Sequence, residues 1–195
     1  LRLDNNFSVG KKIDEKSWVY SRVQAGLGVP YGNTKTTLPY DYSFFAGGAN
    51  DNRGWRARAL GPGSYKYYLD STSTAAQIGD IRIGGSLEYR FSMGSMLKGA
   101  FFSDFGNIWT YNEDAARPGA KFGNNWYKQI AIALGTGIRL DLDFFIIRLD
   151  LGIPIYNPAL PDQARWIFQS REPYIADGIA YYGLSWQTAA QKRAR

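Results

Sequence analysis

Apolar and polar residues alternate with a period of two along much of this chain, and that period constrains the fold more than any other feature. Within 81–91, every odd position is apolar, aromatic or glycine, and every even position is charged, serine or glycine. The same alternation occupies 130–141 and resumes from Ile147. Since side chains two residues apart share one face of a β-strand, each segment predicts a strand with one apolar and one polar face.

Other segments extend this pattern. We predict strands over 17–30, 97–109 and 178–186, and residues 1–9 are predicted to end a further strand. The segments at 130–141 and from Ile147 are joined tightly, as in a hairpin. Apolar residues rarely recur at the 3.6-residue spacing of a helix. The sequence therefore predicts an all-β, antiparallel protein in which this chain supplies about six strands.

Strand and loop lengths favour a membrane barrel over a β-sandwich. The predicted strands exceed the usual length of about 5 to 6 residues and approach the roughly 9 to 11 residues of a tilted membrane strand. Short turns at 92–95 and 142–144 contrast with long loops at about 31–79, 111–125 and 157–175. Short turns at one end and long loops at the other are typical of outer-membrane barrels.

Aromatic residues cluster at the predicted strand ends, which is where the interfacial girdle of a membrane barrel lies. The alternative is that aromatic residues favour β-strands in any fold. The residues concerned are Trp18, Tyr20, Trp109, Tyr111, Trp126, Tyr127 and Tyr156.

Composition excludes several classes of site. The 195 residues contain no Cys and no His, so the chain has no disulfide, no thiolate nucleophile and no Ser-His-Asp triad of its own. The longest unbroken apolar run is 130–134, far short of the roughly 20 residues of a membrane helix. The net charge of +6 could suggest a nucleic-acid partner. However, Arg82, Arg90, Arg139 and Arg148 lie on polar strand faces, interleaved with acids, which predicts a mixed-charge wall and no nucleic-acid partner.

Two short motifs are weak candidates for other sites. Asp141 and Asp143 could ligate a cation, but they lack the loop pattern of a calcium site and are interpreted as a solvated turn. Gly135 and Gly137 lack the third glycine of a dinucleotide fingerprint and are interpreted as small residues on an inner wall. No enzymatic activity, metal or cofactor is predicted.

The strand count predicts that the barrel is larger than this chain. Bacterial barrels have even strand numbers from 8 upward, and an open sheet edge in lipid would leave backbone groups unpaired. We therefore expect further barrel strands and periplasmic domains upstream of residues 1–195.

The segment GGANDNRGWRARALGPGSY, residues 47–65, resembles the conserved sixth extracellular loop of the Omp85 superfamily of outer-membrane assembly and translocation barrels. The family's Arg-Gly-aromatic tripeptide corresponds to Arg53, Gly54 and Trp55. Residues 85–89 resemble the family's twelfth strand, 101–109 its thirteenth, and 133–154 the next two. The sequence of the loop segment is most similar to that of the TamA-like barrels of the Bacteroidota.

This resemblance implies a sixteen-stranded barrel, of which the chain supplies about the last six strands, and a long loop that folds back into the lumen. It also implies a C-terminal strand signal, for which Tyr182, Leu184 and Trp186 are the candidates, although a basic tail follows them.

The family pattern places the tripeptide arginine against acidic residues of the inner wall. Side-chain parity selects Glu88 and Asp104, which lie on the polar faces of their strands. Phe102 shares the face of Asp104 and could stack beneath the guanidinium. We expect a lumenal loop clamp formed by Arg53, Gly54, Trp55, Glu88, Phe102 and Asp104.

The resemblance further implies a bacterial outer-membrane protein that inserts or assembles other proteins. Its implied partners are unfolded outer-membrane or surface proteins, outer-membrane lipid, and accessory lipoproteins or periplasmic subunits. Three alternatives remain at this point: a protein-secretion barrel, a passive solute pore narrowed by the inward loop, and a barrel fused to an upstream enzymatic domain.

Overall fold

The computed structural model describes residues 1–32, 38–65, 77–142, 144–162 and 164–168, together with the backbone of 174–176 and 179–181. Two 3-10 turns occur within this part of the chain, at Tyr40–Tyr42 and Trp126–Gln129. The strands are β1 (Arg2–Asp14), β2 (Ser17–Gly28), β3 (Ile81–Ser92), β4 (Leu97–Trp109), β5 (Ala131–Asp141), β6 (Ile146–Tyr156), β7 (Tyr174–Ala176) and β8 (Ile179–Tyr181).

The first six strands form one antiparallel meander in the order β1-β2-β3-β4-β5-β6, and β7 pairs with β8. This confirms the predicted all-β architecture of six long antiparallel strands. The register aligns Ser86 of β3 with Asp104 of β4, and Asp104 with Ala133 of β5. Directly paired residues share a face of a sheet, so these three positions face the same side.

The two faces of the sheet differ as the alternation predicts. One face exposes large apolar side chains, including Phe7, Leu87, Phe101, Leu149 and Leu151. The opposite face carries many charged and small side chains, and the connection between β2 and β3 covers part of it. We call these the apolar face and the polar face.

The connection from β2 to β3 packs its own apolar residues against the polar face. Phe44, Ala46, Trp55 and Leu60 form a buried cluster with Ile108 of β4 and two alanines of β5, Ala131 and Ala133. Small residues on β5 allow this close approach. The loop is thus a layer of the structure, held by an apolar core as well as by charges.

Two strand boundaries differ clearly from the sequence-based prediction, and a third lies partly outside the described residues. β1 extends to Asp14, beyond the predicted end at residue 9. Lys11 interrupts the apolar pattern of the sequence, but it lies on the apolar face and the strand continues past it. β2 ends at Gly28, before Pro30, which has no N–H to donate to a neighbouring strand. Of the predicted strand at 178–186, Ile179–Tyr181 form β8 and 182–186 lie outside the described residues.

The predicted aromatic girdle is wrong for Trp18, Tyr20 and Trp109. Trp18 pairs with Arg90, and Tyr20 pairs with Glu88, so both aromatic residues lie on the polar face. Trp109 is fully buried, in edge-to-face contact with the rings of Phe122 and Trp126. Position at a strand end therefore did not determine the face. Within the described part of the chain, the helical turns are all too short to cross a bilayer.

Candidate functional site

Arg53 lies where the loop meets the polar face, and its guanidinium joins three strands. Its Nε and Nη2 donate to the two carboxylate oxygens of Asp104 on β4, each at 2.8 Å. Nη1 donates to Glu88 on β3 at 2.7 Å and to Asp150 on β6 at 3.3 Å. The backbone N–H of Arg53 also donates to Asp104, at 3.0 Å. A planar fork of donors suits such a bidentate arrangement, which a lysine could not reproduce.

Burial strengthens this contact. The side chain of Arg53 is 7% exposed, and Asp104 is fully buried. Burial alone would lower the pKa of the Arg53 guanidinium, but its hydrogen bonds to Asp104 and Glu88 raise that pKa above its ordinary value. The arginine therefore stays charged, and removing it would take from the buried Asp104 the guanidinium with which it pairs.

Phe102 forms the floor beneath the guanidinium. The Cζ of Arg53 lies 3.4 Å from the centroid of the Phe102 ring, a cation–π geometry. Phe102 occupies space that only a glycine on β5 leaves open, because a Cβ at Gly135 would lie 2.2 Å from the ring. The lack of a side chain at Gly135 thus leaves room for the Phe102 ring on the polar face.

Gly54 and Trp55 fix the backbone that carries the arginine. A Cβ at Gly54 would lie 2.6 Å from the Cβ of Ala133, so the loop touches the sheet at this point. A Cβ at Gly152 of β6 would lie 2.4 Å from the carbonyl oxygen of Arg53. Trp55 is 9% exposed and belongs to the apolar cluster rather than to the charged contacts.

A second layer of arginines surrounds the carboxylates. Arg90 donates to Glu88 through Nε, and Arg139 of β5 donates to the same carboxylate oxygen at 2.6 Å. Arg148 lies 3.2 Å from Asp150. Three arginines therefore donate to Glu88, and both of its carboxylate oxygens accept hydrogen bonds.

Three arginines of the sheet hold the loop tip, residues 49–51. Arg22 of β2 donates to the carbonyl oxygen of Asn50 at 2.7 Å, and Arg148 of β6 donates to that of Ala49 at 2.8 Å. Arg82 of β3 donates to the carboxylate of Asp51 at 2.7 Å. The tip is thus held by hydrogen bonds from β2, β3 and β6.

Comparison with known proteins identifies the family. The model of the Omp85 superfamily domain matches residues 1–170. The chain belongs to the Omp85 superfamily.

A solved structure shares the fold of this Omp85 chain. The crystal structure of BamA from Haemophilus ducreyi lacking POTRA domains 1–3 matches with a TM-score of 0.61 at 16% sequence identity. The match covers 79% of this chain and 31% of that one, so the chain spans about a third of the length of the structure that it resembles. The six-stranded sheet of this chain matches part of the BamA structure and is not closed by itself.

The structure of this Omp85 chain places the predicted clamp residues in two groups. Arg53, Glu88, Phe102 and Asp104 are in direct contact. Gly54 and Trp55 lie beside them and seat the loop. The predicted strand-signal residues Tyr182, Leu184 and Trp186 lie outside the described residues.

Sequence reasoning did not assign Asp150, Arg139, Arg90 and Arg148 to the clamp. Parity does place Asp150 and Arg148 on the polar face of β6, and this could have nominated Asp150 as a third carboxylate. Among the described residues, no cluster of three or more acidic side chains is arranged so that it could hold a metal ion. Asp141 accepts a hydrogen bond from Lys98 at 2.7 Å, and Asp143 lies outside the described residues.

Proposed function

We propose that this chain is the C-terminal portion of a bacterial outer-membrane barrel that inserts or assembles other proteins, with the Arg53 loop clamped in its lumen. Membership of the Omp85 superfamily and the BamA-like fold support this proposal. The observation that carries it is the loop seated on the polar face of a sheet whose other face exposes apolar side chains. No catalytic role and no cofactor enter the proposal.

The proposed role of the clamp is mechanical. By joining β3, β4 and β6, Arg53 keeps the loop inside and stiffens the wall around it. A client strand pairs with the exposed edge at the seam of the barrel, through main-chain hydrogen bonds that need little side-chain specificity. The free energy of insertion comes from burying the client's apolar residues in lipid.

The proposed context is a longer protein. Upstream strands complete the barrel, and periplasmic domains receive unfolded outer-membrane or surface proteins. Accessory lipoproteins or periplasmic subunits act with it. The matched BamA structure is itself much longer than this chain, which supports this organisation.

Quantitative outer-membrane proteomics after depletion of the full-length protein in its native host tests the proposal. We expect the loss of many unrelated barrels or surface proteins, restored by the wild-type gene and not by an Arg53→Glu variant. Loss of a single exported protein would indicate a secretion barrel instead. An unchanged proteome with altered solute uptake would indicate a passive pore, and either result would overturn the proposal.

A further inference from the structure

A cavity of about 380 Å³ lies on the polar face, between the loop tip and strands β1 to β3. Arg22, Arg53, Arg90 and Arg148 line it, and Tyr20 forms part of its wall. The guanidinium of Arg90 stacks on the Tyr20 ring, 4.1 Å from its centroid. The cavity therefore combines several cationic donors with an aromatic surface.

The carboxylates around this cavity are already occupied. Glu88 accepts hydrogen bonds from Arg53, Arg90 and Arg139. Asp51 accepts from Arg82 through one oxygen and from the backbone N–H of Gly47 through the other. Both oxygens of each acid therefore already accept a hydrogen bond.

Positive charge is in excess within the described part of this network. It contains six arginines and four carboxylates, so the positive charges outnumber the negative ones by two among the described residues. The arginines are Arg22, Arg53, Arg82, Arg90, Arg139 and Arg148, and the acids are Asp51, Glu88, Asp104 and Asp150.

Arg22 is the least satisfied of these cations. It donates only to the carbonyl oxygens of Asn50 and Asp51, and no described carboxylate lies within ion-pair distance of it. Its Nε is buried and has no hydrogen-bond partner among the described residues. Arg22 therefore lines the cavity with a positive charge that no described carboxylate balances.

We propose that this cavity, which is lined by Arg22, Arg90, Tyr20 and the loop tip, binds a carboxylate carried by a polypeptide. Guanidinium groups recognise planar carboxylates by paired hydrogen bonds, and an aromatic wall accommodates the adjoining side chain. The cavity lies on the face opposite the exposed apolar side chains, so a lipid headgroup embedded in the bilayer does not reach it. The inference rests on the proposed function in one respect: the polypeptide is a client.

Peptide binding to the full-length protein in lipid nanodiscs tests this site. The probe is a short labelled peptide that ends in a free phenylalanine carboxylate, and its partner is the same peptide with a C-terminal amide. By fluorescence anisotropy we expect the acid to bind about tenfold more tightly than the amide, as one charge-assisted hydrogen-bonded contact predicts. Raising the salt concentration from about 0.05 to about 0.5 M should remove most of that difference.

Variants locate the site. Arg22→Gln should abolish the preference for the acid, whereas Arg22→Lys should retain part of it because the charge remains. Arg165→Gln is the matched control, since Arg165 pairs with Asp162 outside the cavity. We expect the control to keep the full preference. Salt dependence in the wild-type protein keeps the proposal testable should a variant fail to fold.

Three results would overturn the proposal: equal binding of acid and amide, an unchanged preference in a folded Arg22→Gln variant, or binding of inorganic phosphate through Arg22 without binding of the acid peptide. The outcome of the proteomic experiment does not depend on the outcome of the peptide-binding experiment. An unchanged proteome together with acid-selective binding would leave the carboxylate site standing and remove the assembly function.

Discussion

The two faces of the six-stranded sheet are built from alternate residues of the same strands, yet they depend on different physics. On β3, Leu87 is 52% exposed, whereas its neighbour Glu88 is 6% exposed and joined to three arginines. The apolar face needs only residues of suitable hydropathy, so many apolar side chains would serve there. The polar face needs particular groups at particular distances, because each buried charge requires its partner.

The comparison therefore predicts that substitutions on the polar face depend on identity and geometry, whereas those on the apolar face depend on polarity alone. Four experiments test this difference, in order of decreasing expected effect. Each is measured as the free energy of unfolding of the full-length barrel in lipid vesicles, titrated with denaturant.

Reversing the charge of Arg53 should have the largest effect. Arg53→Glu places a fourth carboxylate beside Glu88, Asp104 and Asp150, and breaking such a buried arrangement costs about 3–5 kcal/mol. Arg53→Lys should cost less, because one positive charge remains although the planar fork is lost. Protease cleavage of the loop should increase in the same order. Equal, near-normal stability of both variants would contradict the clamp.

A charge on the apolar face should come next. Leu151 is at the middle of β6 and is 64% exposed, so Leu151→Arg should destabilise the barrel by about 2–4 kcal/mol if this side meets the bilayer core. Leu151→Met is the control and should change stability little. A tolerated arginine at this position would show that the apolar face does not lie in lipid.

Two adjacent phenylalanines provide the sharpest matched pair. Phe102 lies beneath Arg53 and is 3% exposed, whereas Phe101 is 58% exposed on the other face. Phe102→Leu should cost about 1–2 kcal/mol through the lost cation–π contact and poorer packing. Phe101→Leu should stay within about 0.5 kcal/mol. Equal losses would remove the distinction between the faces at this pair.

The smallest effect should come from a partly exposed ion pair on the polar face. Lys98 and Asp141 are 2.7 Å apart, with 41% and 31% of their side chains exposed. Lys98→Met should cost about 0.2–1 kcal/mol, and added salt should reduce that difference. A loss as large as that of Arg53→Glu would mean that burial does not set the strength of these contacts.

The sequence predicted the strands and faces well because a period of two reports directly on which side of a sheet each residue lies. Parity alone placed Glu88, Phe102 and Asp104 on the face that the loop covers. It could not establish the path of the loop, which depends on close approaches at Gly54 and Gly152 that leave no periodic pattern.

The sharing of these charges was not predicted from the sequence. Parity could place Arg139 and Asp150 on the polar face, but only the strand register shows that they reach the clamp, because β5 lies beside β4 and β6 lies beside β5. The aromatic girdle failed at Trp18 and Tyr20 for a related reason. Their position at a strand end suggested an interface, but their pairing with Arg90 and Glu88 fixes them on the polar face.

Site-directed spin labelling tests most directly whether one face meets lipid while the other holds the loop. The chain has no cysteine, so a single introduced cysteine labels one site within it. In the full-length protein in lipid vesicles, labels at Leu87 and Leu149 should be accessible to oxygen dissolved in lipid, and labels at Ser86 and Arg148 should not. Reversed or equal accessibility at these neighbouring positions would contradict the assignment of the two faces.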